Sequence, residues 1–171
     1  MIKLLTKYEI NSVKRNITLN PHNTIGNAMS MKTWLDEFYP KTVYDLSDNP
    51  TDLECIDHSI LKWSGALPKN LEKHNVIYAS YAIRSDETNF TFDGHTCALC
   101  QIYRTEDYGC YNPELNKTCP IVRVLQRCCD QSNRVDSKRE LSIYDQSRDT
   151  PEPMINLLQQ TREYVLKEGK V

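Results

Sequence analysis

The sequence predicts a single α+β domain that is rich in helix and contains a small cysteine zinc knuckle. Its 171 residues suit one domain with a sizeable core. Apolar residues recur in several segments at the three- and four-residue spacing of amphipathic helices. Six of the seven cysteines fall between Cys97 and Cys129. We therefore divide the chain into an N-terminal arm or strand at 1–29 and a helix-rich domain at 30–171, with the zinc knuckle at 95–129.

Within the N-terminal arm, residues 10–19 fit either a strand or an arm that is disordered or that a partner orders. Three helices are predicted after it. Ser30 is a suitable N-cap for the first, and the proline that follows ends it. Residues 48–51 cap the second helix, Gly65 closes it, and Pro68 begins the third. The apolar positions of the first two helices are Met31, Trp34, Leu35, Phe38, Leu53, Ile56, Ile60 and Trp63.

The second half of the chain mixes short strands with helices. Four segments are assigned by pattern: strands at 76–79 and 90–92, a helix at 120–129 and a solvated, charged segment at 133–140. A turn at Asp93-Gly94 leads the chain into the cysteines. The last helix begins at Thr150-Pro151. Its apolar stripe consists of Met154, Leu157, Leu158, Thr161 and Val165.

The spacing of the clustered cysteines predicts the metal ligands. Cys97-x2-Cys100 lets two thiolates approach one tetrahedral zinc ion from a tight turn, at about 2.3 Å. Cys119 precedes a proline, which favours an extended residue before it and can start the helix behind it. Cys128 would then close the site from that helix. The predicted ligands are Cys97, Cys100, Cys119 and Cys128. Cys110, Cys129 and His95 are alternative ligands, and Cys55 is interpreted as a small buried apolar residue.

The expected zinc site is structural rather than catalytic. A catalytic zinc keeps an open position beside a general base, whereas four or more available thiolates favour a closed site. A zinc deaminase would need His-x-Glu ahead of Pro-Cys-x-x-Cys, but here Thr96 precedes the CxxC and the chain has no His-x-Glu. Paired loop carboxylates could instead bind a divalent ion for a hydrolase or nuclease, which is a third hypothesis. Those carboxylates are Asp86, Glu87, Asp93, Glu106 and Asp107.

Charge gives little support for a general polyanion binder. The formal net charge is −2, which provides no overall attraction to nucleic acid or to an anionic membrane. The one basic concentration lies near 123–139, where Arg123 and Arg127 are four residues apart and would share a helix face. These two arginines are the candidate nucleic-acid contacts, although a solvated face of mixed charge explains them as well.

Several segments together resemble a known family. They are 54–65 (ECIDHSILKWSG), 68–74 (PKNLEKH), 97–103 (CALCQIY), 119–121 (CPI) and 153–155 (PMI). This pattern resembles a family of small, cysteine-rich, mainly bacteriophage-encoded proteins of uncharacterised function, marked by CALC followed by CP. The chain departs from the family pattern where a compact C-x-x-C-P is stretched to Cys110-x8-Cys119. The resemblance implies a phage origin and the cytoplasm of the infected host, and it implies no particular activity.

The sequence thus predicts a phage accessory protein with a structural zinc site that binds a host macromolecule, for counter-defence or host takeover. A host protein is the expected partner. A zinc-dependent nucleic-acid-binding protein is the alternative. We expect no membrane association, because no apolar stretch approaches the roughly 18 residues of a span. No apolar secretory segment is visible, and in a reducing cytosol clustered cysteines more often bind metal than form disulfides.

Overall fold

The protein is a mixed α+β single domain. The computed structural model describes residues 24–85, 88–105, 109–113, 116–131, 133–135 and 138–169. The α-helices in these ranges are α1 (Thr24–Phe38), α2 (Asp52–Ser64), α3 (Pro68–His74), α4 (Ala98–Tyr103), α5 (Pro120–Leu125), α6 (Ile143–Gln146) and α7 (Glu152–Glu168). Short 3-10 helices lie at Val43–Asp45 and Gly94–Thr96. None of the helices in the described ranges is both long enough and apolar enough to cross a bilayer.

The first three helices follow the predicted order. Helix α1 begins at Thr24, six residues before the predicted cap at Ser30, and ends at Phe38. Thr51 caps α2 by accepting a hydrogen bond from the backbone N–H of Glu54. Pro68 is the first residue of α3, as predicted. The possible strand at 10–19 lies outside the described residues.

The strands are short and antiparallel. β1 (Ile77–Ala79), β2 (Ala82–Arg84) and β3 (Asn89–Thr91) form one sheet in that order. β4 (Tyr111–Asn112) pairs with β5 (Lys117–Thr118), and β6 (Asn133–Val135) pairs with β7 (Lys138–Glu140). The segment at 133–140, which the sequence predicts to be charged and solvated, therefore contains a strand pair that the sequence pattern did not predict. The hydrogen bonds of an antiparallel strand pair join backbone N–H and C=O groups. Such a pair can therefore form in a segment whose side chains show no apolar pattern.

Helix α2 is the centre of the core. Its most extensive packing partner among the described elements is α7. The stripe predicted for α7 is confirmed, because Met154, Leu157, Leu158, Thr161 and Val165 are all buried. Helices α1 and α4 also contact α2. This arrangement places the CxxC helix α4 against α2, so the segment around Cys97 lies on the Trp63 helix.

Candidate functional site

A small capped turn positions the CxxC pair. The carboxylate of Asp93 accepts hydrogen bonds from the backbone N–H groups of His95 and Thr96, at 2.9 and 3.1 Å. The Thr96 hydroxyl lies 2.8 Å from the carbonyl oxygen of Thr91 and donates to it. Cys97 is the residue that caps α4, and Cys100 follows within the first turn of that helix. The turn therefore presents the two thiols side by side at the start of a helix.

The thiols line a cavity of about 140 Å³. Its wall includes Cys97, Cys100, Cys110 and Cys129. The apolar part of the wall comes mainly from the core helices and includes Trp63, Leu99, Met154 and Leu158. Asp93, Arg104 and Asp130 contribute polar groups. Cys119, the residue that caps α5, is buried and lies outside this wall.

The electrostatic environment shifts the pKa values of the two CxxC thiols in opposite directions. Hydrogen bonding from Cys100 lowers the pKa of the Cys97 thiol against the opposing effect of burial, and the Lys62 ammonium lowers it further. The same hydrogen bond, together with burial, raises the pKa of Cys100. Burial raises the pKa of Cys119 and of Cys129 to about 12. Cys97 is therefore the thiol that loses its proton more readily, while the surrounding thiols favour the protonated form.

Lys62 enters this site from α2. Its side chain is only 1% exposed, and its ammonium donates hydrogen bonds to the backbone oxygen of Thr96 at 2.7 Å and to the Thr96 hydroxyl at 3.3 Å. The ammonium also lies 5.5 Å from the centre of the Phe92 ring. Burial lowers the pKa of Lys62, whereas the sulfurs of Cys97 and Cys100 raise it. The site thus combines a buried cationic group with thiols.

The predicted ligands fall into different environments. Cys97 and Cys100 are in contact, and Cys119 is close enough to influence the charge of both. Cys128 instead forms a disulfide with Cys110, so neither sulfur is available as a thiolate ligand while that bond persists. Cys129, the residue next to it, reaches the cavity. His95 is exposed and is not on the cavity wall, and Cys55 is fully buried in the core.

The donor chemistry of the free thiols suits zinc, which binds cysteine sulfur readily. Across the described ranges, however, no three His, Cys, Asp or Glu side chains converge closely enough to hold one metal ion. A complete tetrahedral shell would require the sulfurs of Cys119 and Cys129 to move towards the Cys97–Cys100 pair. The zinc site and its ligands remain a prediction.

The two candidate nucleic-acid contacts do not form a common face. Helix α5 ends at Leu125, and Gln126 adopts a left-handed conformation with φ of 57°, so the expected helical register does not extend to Arg127. The Arg123 guanidinium pairs with the carboxylate of Asp52, and also with that of Glu168 at 2.9 Å. These two carboxylates neutralise the positive charge of the Arg123 guanidinium, which a bound phosphate would need as its partner.

The loop carboxylates of the third hypothesis give no shared site among the described residues. Asp93 is used to cap the turn before Cys97. Asp86, Glu87, Glu106 and Asp107 lie outside the described residues.

The two helical histidines in the core region have structural contacts: His58 bonds to the carbonyl oxygen of Lys41, and His74 bridges to Glu37.

Sequence reasoning missed Lys62, although a signal was present. The buried face of α2 consists of Cys55, Ile56, Ser59, Lys62 and Trp63. Their spacing of one, three, three and one residues is that of an amphipathic helix, and Lys62 occupies a core position in it. A lysine on the buried face of a helix indicates a polar or anionic environment there.

The comparisons with known proteins found no counterpart. No family model, no curated protein and no solved structure matches this chain. The chemistry of the site is therefore inferred from its own residues.

Proposed function

We propose that this chain is a phage accessory protein that binds a host macromolecule in the host cytoplasm, and that a structural zinc ion holds its second half together. The observation that supports this proposal is that three free thiols, from α4 and from the segment after α5, line one cavity at the start of α4. Two of them, Cys97 and Cys100, are in contact, Cys129 shares their cavity, and Cys119 is near enough to act on their charge. The phage origin is supported by the resemblance described above.

The proposed ligand set differs from the predicted one at a single position. Cys97, Cys100 and Cys119 are retained, and Cys129 replaces Cys128, which is bonded to Cys110. Bound zinc would supply a tetrahedral cross-link between the CxxC turn, the start of α5 and the segment after it. We propose that the zinc knuckle predicted from the sequence has these four cysteines as its ligands.

A binding role is supported by the hydrogen bonds of the polar groups around the cavity, which join them to nearby backbone and side-chain atoms. Asp93 caps a turn, and the Thr96 hydroxyl and carbonyl bond to their neighbours and to Lys62. These groups are used to hold the backbone in place. A protein partner is favoured over nucleic acid because Arg123 is already paired with two carboxylates.

Metal analysis of the purified full-length protein tests the zinc site. We expect about one zinc ion per chain. Cys97→Ser and Cys129→Ser should each lower the zinc content strongly, because each removes a proposed ligand, whereas Cys128→Ser should retain it. Cys55→Ala is the matched control, since it removes a buried cysteine that is not a proposed ligand. Protein that contains no zinc and keeps its thermal midpoint in the presence of chelator would contradict the proposal.

Affinity purification from infected cells tests the partner. The tagged protein should retain one host polypeptide in stoichiometric amount, and nuclease treatment should leave that amount unchanged. Arg127→Gln should have no effect on it. Loss of the partner on nuclease treatment, together with steep weakening by salt, would instead favour the nucleic-acid-binding alternative.

A further inference from the structure

The cavity at the start of α4 brings a pair of free thiols and a disulfide together. Its wall includes Cys97 and Cys100, which are free, and Cys110, which is bonded to Cys128. Cys128 is not among the described residues that form this wall. The disulfide therefore presents the Cys110 side of its bond to the CxxC pair, inside an enclosed space of about 140 Å³.

The CxxC pair has the arrangement that thiol–disulfide exchange requires. The attacking species is a thiolate, and a second thiol then resolves the mixed disulfide that the attack forms. The Cys100 thiol donates a hydrogen bond to the Cys97 sulfur, so the two sulfurs are already in contact. As the acceptor of that hydrogen bond, Cys97 is the attacking sulfur, and Cys100 is placed to resolve the product.

We propose that the CxxC pair and the Cys110–Cys128 disulfide form an internal thiol–disulfide exchange site. The Cys97 thiolate attacks the Cys110 sulfur, so that a Cys97–Cys110 bond forms and Cys128 leaves as a thiolate. The Cys100 thiolate then attacks Cys97, which forms the Cys97–Cys100 disulfide and releases Cys110. The two protons lost by the CxxC pair pass to the two leaving thiolates. The chain has one disulfide before and after, so no external oxidant or reductant is consumed.

This exchange would move a covalent cross-link from one part of the molecule to another. The starting disulfide joins the segment before β4 to the segment after α5, whereas the product lies within the first turn of α4. Disulfides in a reducing cytosol are usually transient, with catalytic or redox-sensing roles. An exchangeable cross-link therefore fits the host cytoplasm of the proposed function better than a permanent one.

The inference goes beyond the proposed function and does not rest on it. The exchange requires four sulfur atoms of this chain and no metal ion. A zinc ion bound by Cys97 and Cys100 would block the exchange, because a coordinated thiolate is not free to attack. The experiment is therefore done with chelator and then repeated with zinc.

The experiment locates the disulfides of the full-length protein without reductant. The protein is held with chelator at neutral pH and quenched with acid. Free thiols are then alkylated, and the disulfides are identified by peptide mass mapping after digestion with an acid protease. Cys97→Ser removes the attacking thiol, and Cys100→Ser removes the resolving thiol. Cys55→Ser is the matched control, since Cys55 is buried in the core and is not on the cavity wall.

We expect the wild type to contain both the Cys110–Cys128 and the Cys97–Cys100 disulfides. Cys100→Ser should accumulate the Cys97–Cys110 mixed disulfide, because no thiol is left to resolve it. Cys97→Ser should retain the Cys110–Cys128 bond alone, and Cys55→Ser should match the wild type. The thermal midpoint of each variant shows that it is folded, and urea-unfolded protein gives the pairing expected without the fold.

Three results would overturn the inference. The first is the Cys110–Cys128 bond alone in both the wild type and Cys100→Ser. The second is a disulfide of Cys129 in Cys100→Ser, which would assign the attack to that thiol. The third is a wild type in which all seven cysteines are free. Exchange that proceeds equally with zinc and with chelator would support this inference and contradict the proposed zinc ligands, so the two proposals fail separately.

Discussion

His58 shows how a single residue on a helix surface acquires a pH-dependent role. Its Nε2 donates to the carbonyl oxygen of Lys41 at 2.9 Å, and its ring contacts that of Tyr39 edge-on. Its Nδ1 is buried and has no hydrogen-bond partner among the described residues. Protonation would place an unpaired N–H at that buried position. Burial accordingly lowers the pKa of His58 below its usual 6.5.

This lowered pKa predicts a loss of stability in mild acid. The unfolded chain binds a proton at His58 more readily than the folded chain does. The free energy of unfolding should therefore fall as the pH drops below about 6.5 towards the folded-state pKa. His58→Gln, which can keep the bond to Lys41 and does not titrate, should flatten this dependence. Urea unfolding between pH 8 and 5 measures it, and identical slopes in the two proteins would contradict the assignment.

At the scale of elements, the N-terminus of α2 joins three helices. Asp52 accepts hydrogen bonds from the Tyr103 hydroxyl at the end of α4 and from Arg123 on α5. Cys97 and Cys119 are the N-cap residues of these two helices. The start of α2 therefore helps to set the positions of two proposed zinc ligands. The capping box of Thr51 and Glu54 holds that start in place.

Removing the cap of α2 should weaken the whole domain. Thr51→Ala loses the acceptor for the Glu54 N–H, and the expected cost is about 1 kcal/mol in the free energy of unfolding. Thr51→Ser retains the hydroxyl and is the control. Chemical denaturation of both variants measures the difference. Equal stability of the alanine and serine variants would show that the cap contributes nothing at this helix.

At the scale of the whole molecule, one covalent bond connects the segment before β4 with the segment after α5. The Cys110–Cys128 disulfide joins residues 18 apart in the sequence. The remaining cysteines, Cys55, Cys97, Cys100, Cys119 and Cys129, are free. A closed loop of this length restricts the unfolded chain, which is expected to stabilise the fold by about 3 kcal/mol.

Thiol titration tests this covalent arrangement. In denaturant without reductant, metal-free protein should expose the five free thiols, and all seven after reduction. Replacing Cys110 and Cys128 together by alanine should lower the free energy of unfolding by about 3 kcal/mol. Cys55→Ala is the control for removing a thiol that is not in the disulfide. Seven reactive thiols without reductant would mean that the bond does not form.

Local patterns predicted several elements in both halves of the chain. The cap at Thr51, the first helical residue Pro68 and the apolar stripe of α7 depend on neighbours a few residues away, and they were readable from spacing. Gly65 was expected to end α2, and this is confirmed. Its φ is −60°, so this position does not depend on the left-handed conformation that glycine permits. Glycine is needed there because a Cβ would lie 2.5 Å from the Trp34 ring and 2.8 Å from Phe38.

Sequence patterns alone were enough to predict the α+β class, the cap of α2, the buried stripe of α7 and the cluster of cysteines that begins at Cys97. These follow from local backbone preferences and from the period of apolar residues. The packing of the folded chain was needed to establish that Cys110 pairs with Cys128, that Cys129 reaches the cavity and that Lys62 lies near Cys97. Those contacts join residues from different elements, and spacing along the chain carries no information about which distant side chains the packing of α2, α4 and α7 brings together.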